Sequence, residues 1–156
     1  MSAIGVQAYN ADLEQTRYKD YVRQRDCLAL NVYHESKGES ELGQRAVAYV
    51  TLNRVNDPQY PDDVCKVVHQ AVRSSDGTPV LHQCQFSWYC DGRSDEPADK
   101  EAYAQAKFVA SVVINTYGNS FDPTMGATMY HNDSVNPGWS DSFDKTTEIE
   151  NHIFYR

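Results

Sequence analysis

Apolar residues recur at helical spacing from residue 12 to about residue 33, and the pattern becomes almost wholly apolar through Cys27, Leu28, Ala29 and Leu30. This predicts a helix whose C-terminal half is buried. Gly38 breaks it. Ser40 begins a second helix, in which Leu42, Ala46, Val47 and Val50 recur, and the run from Ala46 to Val50 is apolar enough to be buried on most sides. That helix ends near Val55, before the turn-forming Asn56, Asp57 and Pro58. Pro61, Asp62 and Asp63 read as the first turn of a short helix over residues 64–70. Positions 71–96 show no period and are expected to be irregular, apart from a β-leaning run at 85–89. After Pro97, Tyr103, Ala106, Ala110, Val113, Ile114 and Tyr117 fall on one face of an amphipathic helix that Gly118 and Asn119 end. Strand-like runs at 127–131 and 148–155 close the chain. The expected fold is α+β, mainly helical, with a few short strands.

No internal repeat, low-complexity tract or linker divides the 156 residues, a length that suits one domain. The net charge of −8 excludes a nucleic-acid binder, which needs a basic face, and leaves attachment to an anionic surface to a specific groove. No run is long and apolar enough to span a membrane, and the first 24 residues lack the apolar stretch of a secretory leader, so no stable membrane insertion is expected. Tyrosine outnumbers phenylalanine 11 to 5. Such side chains serve sugar grooves as well as cores, with packing the commoner use. Of four cysteines, Cys65, Cys84 and Cys90 lie in the loop-rich middle, where one disulfide is expected if the protein works outside the cytoplasm. Cys27, within a helical pattern, reads as a buried thiol.

The chemistry-bearing stretch is His34-Glu35-Ser36-Lys37-Gly38-Glu39. Glu35 falls where an apolar helix ends, at the rim of the core. A carboxyl held against apolar walls keeps its proton to higher pH and suits a general acid. A glutamate at a helix end is more often merely solvated, so this position is weak by itself. Gly38 separates Glu39 from Glu35, and Glu39 reads as organising the start of the second helix. The five histidines and four cysteines show no metal-ligand spacing and no cysteine–histidine nucleophile, and there is no glycine-rich phosphate loop. No metal and no cofactor are expected.

Several blocks then resemble one family. Tyr33-His34-Glu35-Ser36-Lys37-Gly38-Glu39 is followed by Gly43-Gln44-Arg45-Ala46-Val47-Ala48 and Leu52-Asn53-Arg54-Val55. Further on come Tyr60-Pro61, Val64-Cys65, Gln85-Phe86-Ser87-Trp88, Cys90-Asp91-Gly92, Gly126-Ala127-Thr128, Tyr130-His131 and the closing Asn151-His152-Ile153-Phe154-Tyr155-Arg156. In this order they resemble the SleB-type cell-wall hydrolases, the family of the spore-cortex-lytic enzymes and their Gram-negative and phage relatives. The resemblance covers residues 27–156, leaving 1–26 as an N-terminal extension and the start of the first helix of a single catalytic domain. It implies a lysozyme-like fold related to lytic transglycosylases, with Glu35 as the sole acid/base and Glu35-Ser36 similar to their Glu-Ser pair. Glu150 departs from the family, where glycine is common, and is expected to affect a terminal strand rather than the chemistry.

The resemblance implies cleavage of peptidoglycan glycan strands between N-acetylmuramic acid and N-acetylglucosamine, closing a 1,6-anhydro ring. The alternatives are a hydrolytic muramidase with Glu39 or Asp91 as second carboxylate, and a non-catalytic peptidoglycan-binding component of a virion. Ser36, Phe86, Ser87, Tyr130 and His131 are expected to bind substrate, Phe86 by stacking on a sugar and Ser87 and Tyr130 by hydrogen-bonding the N-acetyl groups or holding Glu35. A core-closing role for Phe86 and Trp88 weighs equally. His152 and Tyr155 read as packing residues, and Trp139 is undecided. The expected location is a phage-encoded enzyme, held in the cytoplasm until holin-dependent release or carried in the phage particle. A periplasmic enzyme is the alternative.

Overall fold

Helix α1 runs unbroken from Ala3 to Ser36 in the computed structural model, which describes residues 3–156. Met1 and Ser2, the first positions of the 1–26 extension, lie outside the described residues. The helix therefore starts about nine residues before its apolar period does, and residues 5–20 are exposed along their length. Its C-terminal half enters the core, with Leu28, Ala29, Val32 and Tyr33 buried. Gly38 takes a left-handed φ of +87°, which glycine adopts without a Cβ penalty, and turns the chain into the next helix.

Helix α2, Glu41–Val55, is capped by Ser40, whose hydroxyl accepts from the Gly43 amide. It is buried from Ala46 to Leu52. Helix α3, Val64–Val68, is capped by Asp63 and stops short of the 64–70 expected, because Gln70 already leads into a strand. Helix α4, Lys100–Thr116, packs Ala106, Val109, Ala110 and Val113 against α1 and α2.

Four further expectations are corrected. Residues 71–84 are not irregular: β1, Ala71–Arg73, and β2, Pro79–Cys84, form an antiparallel hairpin. It is too exposed to carry an alternating pattern. The β-leaning 85–89 run is no strand but leads into a 3-10 helix, Ser87–Cys90, closed by a Cys84–Cys90 disulfide. That bond lies among the three middle cysteines. Cys27, however, is not a free thiol; it pairs with Cys65 and ties α1 to α3. Two helices far apart in sequence present the sulfurs to each other, which no spacing rule reveals.

The closing run at 148–155 is two strands rather than one. Strands β3, Met129–Asn132, β4, Lys145–Ile149, and β5, His152–Tyr155, form an antiparallel sheet in the order β3-β5-β4. Glu150 and Asn151 make the β4–β5 turn, and Glu150 has a left-handed φ of +52°. That conformation accounts for a position suited to glycine. The sheet joins α2 through a second apolar cluster of Ala46, Val50, Ala127, Ile149 and Phe154.

Candidate active site

The last turn of α1 carries Glu35 to the rim of the core opposite β3. Tyr130 donates its hydroxyl to Glu35 Oε2 at 2.6 Å. Burial raises the Glu35 carboxyl above the ordinary glutamate range, while the Tyr130 hydrogen bond and then His152, Arg54 and His34 pull the other way. Burial and the adjacent Glu35 push Tyr130 well above a normal phenol, so it stays a donor. The pair is thus a carboxyl that holds its proton to higher pH than an ordinary glutamate, oriented by a neutral phenol.

Placement of Tyr130 depends on the end of α2. Asn53 Nδ2 donates to Asp122 Oδ2 and to the Ala127 carbonyl, both at 2.9 Å, and Asn53 Oδ1 accepts from Tyr117 at 2.8 Å. Arg54 Nε donates to the Thr128 carbonyl at 2.7 Å. The Asn53-Arg54 step therefore holds the loop that delivers Tyr130. The guanidinium of Arg54 lies 5.0 Å from the Phe86 ring centroid and 5.4 Å from that of Tyr60.

A second polar group borders the first. His152 Nδ1 is 3.2 Å from Glu39 Oε1, and the His152 ring stands edge-on to Tyr130 at 5.0 Å. Burial raises Glu39, helped by the nearby Glu150 carboxylate, and burial lowers His152, which is neutral at pH 7. Both Glu150 oxygens accept from the Ser40 amide, at 3.2 and 3.3 Å. Glu39 Oε2 is buried without a hydrogen-bond partner. Gly43 makes room for these carboxylates: a Cβ there would lie 2.6 Å from both Glu39 Oε2 and Glu150 Oε2.

The remaining positions singled out from sequence are distributed differently. Ser36 is buried and donates to the Val32 carbonyl, so its hydroxyl is spent inside α1. Phe86 is only 4% exposed and lies under Arg54, which leaves no face for a sugar to stack on. Trp88 is likewise a core residue, donating to Asn31 at 3.0 Å, and Asn31 in turn donates to Thr51. Ser87 is exposed. His131 follows Tyr130 on β3 and so points from the opposite face of the sheet, where it meets Tyr155 and Trp139. Asp91 accepts from the Arg93 amide in a turn. Arg54 and His152 border Glu35 without having been singled out for it. Their presence in the Leu52-Asn53-Arg54-Val55 and Asn151-His152 blocks was the available signal. No cluster suited to a metal ion occurs among the described residues.

The sequence profile of the Cell Wall Hydrolase family matches residues 38–155, beginning just after Glu35. The spore cortex-lytic enzymes of Halalkalibacterium halodurans and Bacillus subtilis are 34% and 30% identical over 128 residues, 81% of the chain. The chain spans about a third of their length, 33% and 35%. The catalytic domain of the germination-specific lytic transglycosylase SleB from Bacillus anthracis superposes with a TM-score of 0.65 at 30% identity, covering 85% of this chain and 93% of that one. That of Bacillus cereus SleB gives 0.63 at 29% identity, covering 86% and 91%. The chain belongs to the SleB-type cell-wall hydrolase family.

Proposed function

We propose that this chain is a lytic enzyme cutting the glycan backbone of peptidoglycan as a lytic transglycosylase, with Glu35 as its single acid/base. The observation that carries this is the half-buried Glu35, whose carboxyl is pushed up by desolvation and oriented by Tyr130. Glu35 gives its proton to the glycosidic oxygen between N-acetylmuramic acid and N-acetylglucosamine as the C1–O bond breaks. The sugar passes through an oxocarbenium-like state. The carboxylate so formed takes the proton of the muramyl 6-hydroxyl, whose oxygen bonds to C1. The products are a free 4-hydroxyl and a 1,6-anhydro end, with Glu35 protonated again. Of the residues expected to bind the sugar, exposed Ser87 keeps a free surface for it, whereas Ser36 and Phe86 are buried.

A hydrolytic muramidase is favoured over this only by Glu39, half-buried with an unpartnered oxygen. Asp91, committed to a turn, is the poorer second carboxylate. Digestion of purified sacculi separates the readings. Anhydro-muramyl ends are expected; reducing ends would replace the transglycosylase with the hydrolase, and binding without soluble fragments would leave a wall-binding component. For location, the two disulfides support work in an oxidising compartment at the wall rather than storage in a reducing cytoplasm before holin-dependent release. Carriage in a phage particle is compatible with the same bonds.

A further inference from the structure

We propose that Arg54 is a positioning residue of this site, a buried unpaired cation that holds Tyr130 in place and stabilises the carboxylate Glu35 becomes on giving up its proton. The inference rests on the proposed use of Glu35 as an acid. Its first support is geometric. Arg54 Nε bonds the Thr128 carbonyl at 2.7 Å and Nη2 lies 3.9 Å from Met129 Sδ. Those two residues directly precede Tyr130, so the guanidinium clamps the start of β3.

The second support is the state of the charge. Arg54 is 3% exposed, Nη1 is buried without a partner, and no ion pair joins it to a carboxylate among the described residues. A lone buried guanidinium works against folding, and a well-packed apolar side chain of its size would be tolerated as well or better. Retention of the cation therefore points to its charge being used. The groups that act on it are Tyr130 on β3, Tyr60 after α2 and Glu35 at the end of α1; the acid among them is Glu35. Those facing Glu35 are Tyr130, His152 on β5, Arg54 and His34. His152 is neutral at pH 7, so Arg54 is the permanent cation of the set. As the proton leaves, negative charge develops on Glu35 in a poorly solvated wall, where a fixed cation is most effective.

The test uses the full chain with Arg54→Met and Arg54→Lys, following release of soluble fragments from purified sacculi between pH 4 and 9, with thermal melts. Arg54→Met is expected to keep or raise Tm, while its best rate falls about ten- to a hundredfold. Its alkaline limb should move up by about one pH unit, because Glu35 holds its proton more tightly. Arg54→Lys should keep the wild-type limb. An unmoved limb in folded Arg54→Met would overturn the proposal, as would rate and Tm falling together in both variants. Should Arg54→Met not fold, titration of the 13C-labelled Glu35 carboxyl in wild type and Arg54→Gln decides. A midpoint about one pH unit higher in the glutamine variant is expected, and matching midpoints overturn the idea. If wild type releases nothing from sacculi, the proposed function fails instead, and the Glu35 titration with and without the cation still judges Arg54.

Discussion

Glu35 and Tyr130 are 95 positions apart, and the chemistry of each is set by the other. Because burial raises Glu35 in the folded chain above its unfolded value, its contribution to stability is complete below the unfolded value. That contribution is lost as pH rises through the folded one. Glu35→Gln removes the proton and the buried charge together. Lysis should fall by roughly two to four orders of magnitude, while Tm relative to wild type should rise as pH increases from 5 to 8. A glutamine variant with near-wild-type turnover sinks the assignment of the acid. Tyr130→Phe removes a donor that holds Glu35 down, so the alkaline limb should move upward. The rate should fall about ten- to a hundredfold, matching one hydrogen bond to a charged group of about 1.5–3 kcal/mol. An unmoved limb would mean that Tyr130 is only a wall.

Where α1 hands over to α2, side chains from the β4–β5 turn complete the junction. Glu150 sits in a conformation that glycine tolerates better, yet its carboxylate reaches back to the Ser40 amide at the start of α2. Glu150→Gly should gain about 1 kcal/mol from backbone relief and lose about 0.5 kcal/mol or more of exposed hydrogen bonding. The net change in urea unfolding is expected to be small and stabilising; a clear loss would show that the cap dominates. Gly43→Ala should improve helix propensity by about 1 kcal/mol, yet destabilise overall by about 1–2 kcal/mol because its Cβ meets Glu39 and Glu150. Combining it with Glu150→Gly should recover part of that loss. Additivity of the two changes would exclude the contact as the cause.

Two disulfides brace different parts of the molecule. Cys27–Cys65 closes 38 residues and joins α1 to α3, whereas Cys84–Cys90 closes 6 and bounds the segment that carries Ser87. Loop-closure entropy assigns them about 4 and about 2 kcal/mol. Cys27→Ser with Cys65→Ser should therefore lower Tm more, and Cys84→Ser with Cys90→Ser should lower lysis more relative to its effect on Tm. The reduced protein is expected to remain folded and lytic at 25 °C with a lower Tm. Loss of folding on reduction would make an oxidising compartment obligatory. The reverse ranking of the two pairs would remove the Ser87 segment from the substrate groove.

The apolar period of α1, α2 and α4, the break at Gly38 and the position of Glu35 at the end of a buried helix were all legible in the sequence, because helical burial leaves a local pattern. The family blocks were equally legible, since their order along the chain is itself sequence. Other features were not. The β1–β2 hairpin is exposed and three residues deep on one side, so burial imposes no alternation there. Cys27 looked like a buried thiol because its partner lies on another helix. Phe86 read equally as a sugar platform or a core residue until Arg54 covered it, and His131, expected to bind substrate, lies on the face of the sheet away from Tyr130. The sequence by itself determined where the long helices bury a face, because helical burial leaves a pattern a few residues long, and its family blocks made Glu35 the candidate acid. Only the tertiary structure decided what surrounds that acid, because Tyr130, His152 and Arg54 reach it from β3, β5 and α2, and long-range packing leaves no local period to read.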